Sequence, residues 1–204
     1  MMDPKRVLDE LRAGNRRFLD GNSAASPQLS LKKLKAFAEQ GQLPKAIVLC
    51  CSDSRAPVEM IFDQDIGDLF VVRVAGNIVA PSLVGSIEFA AGTFGTRLVV
   101  VMGHSQCGAV SATLSHIENP EATTSVNIQD IVSRIEPQIS AIAKTPYLSH
   151  SEKMLQAVEA NVLASVRAIP ASSQLLAQLA LDGKIVIVGA VLELDSGEVQ
   201  FLAN

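Results

Sequence analysis

Four short apolar runs, rich in β-branched side chains, constrain the fold of this 204-residue chain more than any other feature. They cover residues 45–50, 69–74, 98–102 and 184–188, and polar residues or Gly bound them. Runs of this kind are typical of buried parallel strands. Because helical periodicity separates them, βαβ units are expected. The sequence therefore predicts an α/β fold with a central, mainly parallel sheet of four strands flanked by helices.

Both ends of the chain extend this plan. An apolar repeat of about 3.6 residues predicts a helix over residues 3–20, which together with a second short helix forms an N-terminal helical arm, residues 1–40. The basic face of the first helix would either face solvent or pack on a partner subunit. Near the C-terminus, residues 191–194 and 198–201 flank a polar turn, which predicts a hairpin that would add an antiparallel edge strand or reach across a dimer. With no linker or repeat, residues 1–204 are expected to form a single domain.

Charge and composition exclude several classes of partner. The net charge is −4, and no basic stripe is interleaved with aromatic residues, so nucleic acid is not expected to bind. No apolar run approaches the roughly 18 residues of a membrane-spanning helix, and the N-terminus does not read as a signal peptide. Only three cysteines are present, without an obvious disulfide pattern. The sequence therefore predicts a cytoplasmic protein with no membrane partner.

Two polar motifs follow the first and third apolar runs. Residues 51–55 read Cys-Ser-Asp-Ser-Arg, and residues 104–107 read His-Ser-Gln-Cys. The carboxyl ends of parallel strands meet at one edge of a sheet, so these motifs are expected to meet there. Two thiols and an imidazole are the ligands that zinc prefers. Each motif alone is weak, since a lone Cys after a strand is usually a core residue, but the combination predicts a metal site.

The predicted ligands are Cys51, His104 and Cys107, with one zinc ion per chain. Three protein ligands leave a fourth position open, as in catalytic rather than structural zinc sites. Asp53 is the candidate for that position, or it accepts a hydrogen bond from a water there. Arg55 could hold Asp53 by a bidentate pair, which would make the two residues a switch between an open and a blocked site. Cys50 precedes Cys51 in the strand and is expected to face the core on the other side.

These motifs resemble those of the β-class carbonic anhydrases. Residues 68–77 also match that family, and the resemblance covers most of the chain. It implies that zinc is bound by the three ligands named above and that Asp53 and Arg55 form the catalytic dyad. It further implies reversible hydration of carbon dioxide to bicarbonate and a proton by zinc-bound hydroxide. The expected assembly is a homodimer or a dimer of dimers.

The resemblance also implies residues that would contact the substrate. Gly108 would offer its backbone N–H, and Gln42 matches a side-chain amide that binds substrate in plant-type members. Phe70 matches a pocket-wall aromatic residue, whereas Phe89 stands where plant-type members carry Tyr. In the family this pocket lies at a dimer interface, with some walls supplied by the partner.

One departure from the family pattern concerns regulation. A subgroup has an inhibitory bicarbonate site that needs a Trp three residues before the first zinc Cys. That position is Val48 here, and the chain contains no Trp. Arg73 matches the Arg of that subgroup, but the site as a whole is expected to be absent.

Two other functions use the same residues. A hydrolase of carbon disulfide or carbonyl sulfide would have the same fold and similar zinc ligands, and would release hydrogen sulfide. A non-catalytic, zinc-stabilised dimerisation module would have its metal closed by Asp53. The sequence leaves both open as alternatives to the hydratase.

Overall fold

A computed structural model of the protein describes residues 2–25, 30–120 and 125–203. These residues form a five-stranded sheet in the order β2-β1-β3-β4-β5. The first four strands run parallel and β5 pairs antiparallel with β4, which confirms the predicted α/β class with its hairpin edge strand. The strands are β1 Ala46–Cys50, β2 Leu69–Arg73, β3 Leu98–His104, β4 Val186–Leu192 and β5 Val199–Phe201.

Helices cover both faces of this sheet, and several begin at the polar cap that the sequence provides. Asp3, Ser30, Ser125, Ser149 and Ser173 each accept a hydrogen bond from a backbone N–H of the first turn that follows. The helices are α1 Pro4–Leu19, α2 Leu31–Gln40, α3 Val58–Ile61, α4 Pro81–Thr93, α5 Gly108–Glu118, α6 Val126–Ala143, α7 His150–Ala171 and α8 Gln174–Leu181, and a 3₁₀ turn spans Ala75–Asn77.

The core consists of two apolar layers, one on each face of the sheet. Alternate residues of β1 point to opposite layers, so that Leu49 and Cys51 belong to one layer while Val48 and Cys50 belong to the other. Cys50 is buried there, as expected, and burial raises the pKa of its thiol to about 12. It is therefore a neutral core residue at physiological pH.

One prediction of strand boundaries was wrong. Residues 184–188 and 191–194 were expected to be separate strands, but β4 runs without a break from Val186 to Leu192. The reason is the close approach of α7, which packs across the middle of the sheet. A β-carbon on Gly189 would lie 2.9 Å from Val162 Cγ1, and one on Gly103 would lie 2.6 Å from Val162 Cγ2. These glycines are strand residues that make room for a helix.

Helix α1 of the N-terminal arm docks on its own chain. Asn15 is buried and donates to the carbonyl oxygens of Ile61 and Gly197, while its Oδ1 accepts from the N–H of Val199. Helix α2 has no buried residue among those described. Residues 26–29, within the predicted arm, lie outside the described residues.

No helix in the described part of the chain combines the length and the apolar character needed to span a bilayer. The single-domain assignment over residues 1–204 stays a prediction.

Candidate metal centre

The sheet register brings the two motifs together. Cys50 pairs with Met102 between the adjacent parallel strands β1 and β3. Cys51 follows β1 directly, His104 is the last residue of β3, and Cys107 is the N-cap residue of α5. The two thiol sulfurs and an imidazole nitrogen lie within 4.8 Å of one another. All three side chains are buried.

Hydrogen bonds to the end of β4 and to the residues just after it hold the turn from β3 into α5. Gln106 has a φ of +56°, a left-handed conformation that is uncommon for a residue with a side chain. Ser105 fixes this turn, since its N–H donates to Leu192 O and its hydroxyl donates to Glu193 Oε1 at 2.6 Å. The same hydroxyl accepts from the N–H of Leu194 at 3.0 Å. These bonds aim His104 and Cys107 at one point.

The donor set fits a zinc ion. His104 Nδ1 lies 2.8 Å from Ser105 O, so that Nδ1–H donates there and Nε2 keeps its lone pair. Among the described residues, this buried Nε2 has no hydrogen-bond partner, as expected for a nitrogen that coordinates a metal. Two sulfurs and one imidazole nitrogen leave one position open, which suits a catalytic site.

The two thiols influence each other strongly. The adjacent Cys107 thiol lowers the pKa of Cys51, and the N–H of Gly76, which donates to Cys51 Sγ at 3.4 Å, lowers it further. The pKa of Cys107 is raised by the neighbouring Cys51 and by burial. Since a thiolate is the form that binds metals, Cys51 is prepared for coordination.

Asp53 faces this group but is engaged by Arg55. Its Oδ2 lies 3.8 Å from His104 Nε2. Arg55 donates from Nε to Oδ1 at 2.9 Å and from Nη2 to Oδ2 at 2.8 Å, and its backbone N–H also donates to Oδ1. These hydrogen bonds hold the pKa of the Asp53 carboxyl well below its usual range. The sequence allowed Asp53 either to take the fourth metal position or to be held by Arg55, and in the structure it is held by Arg55.

Arg73 holds the backbone of residues 51–53 by hydrogen bonds, a role that sequence reasoning missed. Its guanidinium donates to Cys51 O at 3.0 and 2.8 Å and to Asp53 O at 2.6 Å. The signal for this role is its place at the carboxyl end of β2, where it pairs in register with Cys50. Arg73 thus fixes the backbone that carries the candidate metal ligand Cys51 and the Asp53 carboxylate.

The predicted substrate contacts fall into two groups. Gly108 begins α5 beside Cys107 and is exposed, and its N–H has no partner within the helix. Gln42 is also exposed but precedes β1, at the opposite end of that strand from Cys51. Phe70 pairs in register with Ile47, early in β1, and its ring centroid lies 6.5 Å from that of Phe89. A single chain therefore brings Gly108 to the candidate metal ligands but does not bring Gln42 there.

Comparisons with known proteins identify the family of this chain. The model of the family described as Carbonic anhydrase matches residues 46–199. The chain is 35% identical over 202 residues to a carbonic anhydrase of Mycolicibacterium smegmatis, covering 99% of this chain and 95% of the relative. It is 34% identical over 195 residues to carbonic anhydrase 2 of Mycobacterium tuberculosis, covering 96% and 91%.

Solved structures share the fold. A Coccomyxa β-carbonic anhydrase in complex with acetazolamide superposes with a TM-score of 0.72 at 25% identity, over 100% of this chain and 88% of that one. A structure from the study of two tetrameric β-carbonic anhydrases of Sordaria macrospora gives a TM-score of 0.75 at 19% identity, over 98% of both chains. The protein belongs to the β class of the carbonic anhydrase family and is an enzyme of that class.

Proposed function

We propose that the protein catalyses the zinc-dependent, reversible hydration of carbon dioxide to bicarbonate and a proton. The observation that carries this proposal is the buried group of Cys51, His104 and Cys107, with its unpartnered His104 Nε2, beside a carboxylate held by Arg55. Zinc held by these three ligands would supply a Lewis acid that makes water nucleophilic near neutral pH, as it does in carbonic anhydrases generally.

The dyad would orient the attacking water. Because Arg55 keeps the pKa of Asp53 low, this carboxylate stays ionised and accepts hydrogen bonds only. It can accept one from the attacking water and so direct the oxygen lone pair toward carbon dioxide. The same Asp53 turned away from Arg55 would be the fourth ligand, and the pair would then act as the gate of the site.

Gly108 would bind the substrate. Its N–H stands at the N-terminus of α5, next to Cys107, where the helix dipole favours negative charge. Negative charge develops on the oxygens of carbon dioxide as bicarbonate forms. A donor at this place would stabilise that charge more strongly in the transition state than in the substrate.

A second copy of the chain would complete the pocket, in a homodimer or a dimer of dimers. Phe89 is 53% exposed, and β2 is an edge strand with one side unpaired in the described part of the sheet. Gln42, Phe70 and Phe89 would reach the metal ligands of a partner rather than those of their own chain. All three thiols are free, which fits action in a reducing compartment such as the cytoplasm.

A pair of neighbouring cysteine substitutions tests the proposal. We expect Cys51→Ala to abolish both zinc content and carbon dioxide hydration, measured by metal analysis and by stopped-flow with a pH indicator. Cys50→Ala is the matched control, since it removes an equally buried thiol from the opposite face of the sheet and should keep both.

Three results would contradict the proposal. One is full hydratase activity in the Cys51 variant. Another is release of hydrogen sulfide from carbon disulfide or carbonyl sulfide without hydration of carbon dioxide, which would indicate the hydrolase. The third is a zinc-loaded wild-type protein with no activity at all, which would indicate a structural module.

A further inference from the structure

Helix α7 presents two buried polar side chains to the 3₁₀ turn Ala75–Asn77. Asn161 and Ser165 are four residues apart and therefore lie on one face of the helix. Only 2% of Asn161 and 4% of Ser165 is exposed. Asn161 Nδ2 donates to Gly76 O at 2.8 Å, and Ser165 Oγ donates to Asn77 O at 3.0 Å. We call these two residues the α7 clasp.

The turn that the clasp holds contacts the metal group. The N–H of Gly76 donates to Cys51 Sγ at 3.4 Å, in a buried position. The carbonyl oxygen of Gly76 therefore accepts a hydrogen bond from α7, while its N–H donates one to the proposed metal ligand Cys51.

The turn has little freedom to adjust by itself. Gly76 has a φ of +71° and Asn77 a φ of +43°, both in the left-handed region. A β-carbon on Gly76 would lie 2.8 Å from Ile135 Cδ1 and 3.0 Å from Ala109 Cβ. Conformations of this kind persist only where surrounding contacts hold them, and the α7 clasp supplies two such contacts.

We propose that Asn161 is a positioning residue for the metal-binding thiolate of Cys51, and that Ser165 assists it. By holding the Gly76 carbonyl, Asn161 keeps the Gly76 N–H directed at Cys51 Sγ. An N–H donor withdraws electron density from a thiolate and so tunes how strongly the sulfur donates to a metal. The inference rests on the proposed metal site but not on the identity of the substrate.

The test uses cobalt(II) in place of zinc, because a thiolate bound to cobalt gives a charge-transfer band that reports on its donor strength. In Asn161→Ala we expect this band to move to longer wavelength, since the sulfur loses its hydrogen bond. We also expect the affinity for zinc, measured by competition with a chelator, to fall roughly tenfold to a hundredfold, because Cys51 Sγ is no longer held in position for the metal. Ser165→Ala should change both in the same direction by less, and it is the variant to use if Asn161→Ala does not fold.

Asn15→Ala is the matched control. Asn15 is an Asn of similar burial, and it also binds backbone carbonyls, but it joins α1 to Ile61 and Gly197. We expect its loss to lower stability while leaving the cobalt band and the zinc affinity unchanged.

The outcomes separate this inference from the proposed function. An unchanged band and affinity in both clasp variants would overturn the inference alone. An equal change in Asn15→Ala would also overturn it, since the effect would then be one of general stability. A wild-type protein that takes up neither zinc nor cobalt would overturn the proposed function together with the inference.

Discussion

Arg55 engages both carboxylate oxygens of Asp53, with Nε 2.9 Å from Oδ1 and Nη2 2.8 Å from Oδ2. A bidentate pair of this kind fixes the direction of a carboxylate as well as its charge. The pair lies beside the buried His104 Nε2, so the direction of the Asp53 carboxylate affects any metal or water bound there.

Replacement of the dyad carboxylate should impair turnover without removing the metal. We expect Asp53→Asn to lower kcat roughly a hundredfold or more, because an amide is a poorer and less directed acceptor than a carboxylate. Zinc content should stay at one ion per chain. The control is Asp130→Asn, since Asp130 forms a similar two-pronged pair with Arg134 on α6. Full activity in Asp53→Asn would refute the dyad role.

The planar, two-pronged shape of the Arg55 guanidinium, and not its charge alone, is predicted to determine activity. Arg55→Lys keeps the positive charge but cannot donate to both oxygens in one plane. We expect kcat/KM to drop at least about tenfold, with Asp53 spending part of its time on the metal as a fourth ligand. A crystal structure of the zinc-loaded variant would reveal that ligand. If Arg55→Lys were as active as the wild type, the gate would not depend on the fork.

A buried carboxylate away from the site should make stability depend on pH. Burial alone would raise the pKa of Asp63, but hydrogen bonds from Arg17 and from the N–H groups of Ala24 and Ala25 outweigh this and lower it. The stabilisation is therefore complete above the unfolded pKa, about 3.9, and is lost as the pH falls through the folded pKa. Asp63→Asn should lower the free energy of unfolding by about 2 kcal/mol at pH 7.

Urea unfolding at several pH values would check this. The difference between the wild type and Asp63→Asn should shrink below pH 4, roughly where the unfolded carboxyl titrates. Asn also tolerates the φ of +48° at this position, so the substitution changes charge with little backbone cost. The exposed Asp9 offers the control variant Asp9→Asn, which should be neutral at every pH. A difference that stayed constant with pH would contradict the prediction.

Bicarbonate is not expected to inhibit at Arg73. Its guanidinium already donates to Cys51 O and Asp53 O, and Val48 stands where the regulated subgroup carries Trp. Inhibition curves with bicarbonate should lack cooperativity when ionic strength is matched with chloride. An anion at Arg73 in a bicarbonate-soaked crystal would overturn this.

A charged substitution at Phe89 tests whether two subunits contact each other through this exposed aromatic side chain. We expect Phe89→Asp to shift the protein toward monomers in analytical ultracentrifugation and to lower its activity, because burying a carboxylate there is costly. Tyr147→Asp is the control, since Tyr147 is 84% exposed in a turn before α7. Unchanged association in Phe89→Asp would place the interface elsewhere.

The candidate metal ligands could be recognised in the sequence because they lie at or just after strand ends, in short motifs. Cys51 and His104 needed only the rule that parallel strands end at the same edge. The contacts that Arg73 makes could not be read from the sequence, since its observed partners are backbone carbonyl oxygens rather than side chains. Asn161 could not be found at all, because it meets Gly76 from 85 residues away.

The mistaken prediction of a break within β4 also arose from a contact between segments that are distant in the sequence. Gly189 is a weak strand former, so the apolar runs on either side of it look like separate elements. Only the helix that crosses above it explains why a small residue belongs there. Propensity describes one chain segment, whereas this constraint comes from the contact between two.

The glycines beneath Val162 carry a consequence for engineering the protein. Gly103 precedes the ligand His104, and Val162 follows the clasp residue Asn161, so a single added methyl group at position 103 would press on the helix one residue from the clasp. We therefore expect Gly103→Ala to disturb the candidate metal centre although it introduces no new functional group. Variants that repack the interior of this enzyme must therefore keep glycine at positions 103 and 189, where α7 leaves no room for a side chain.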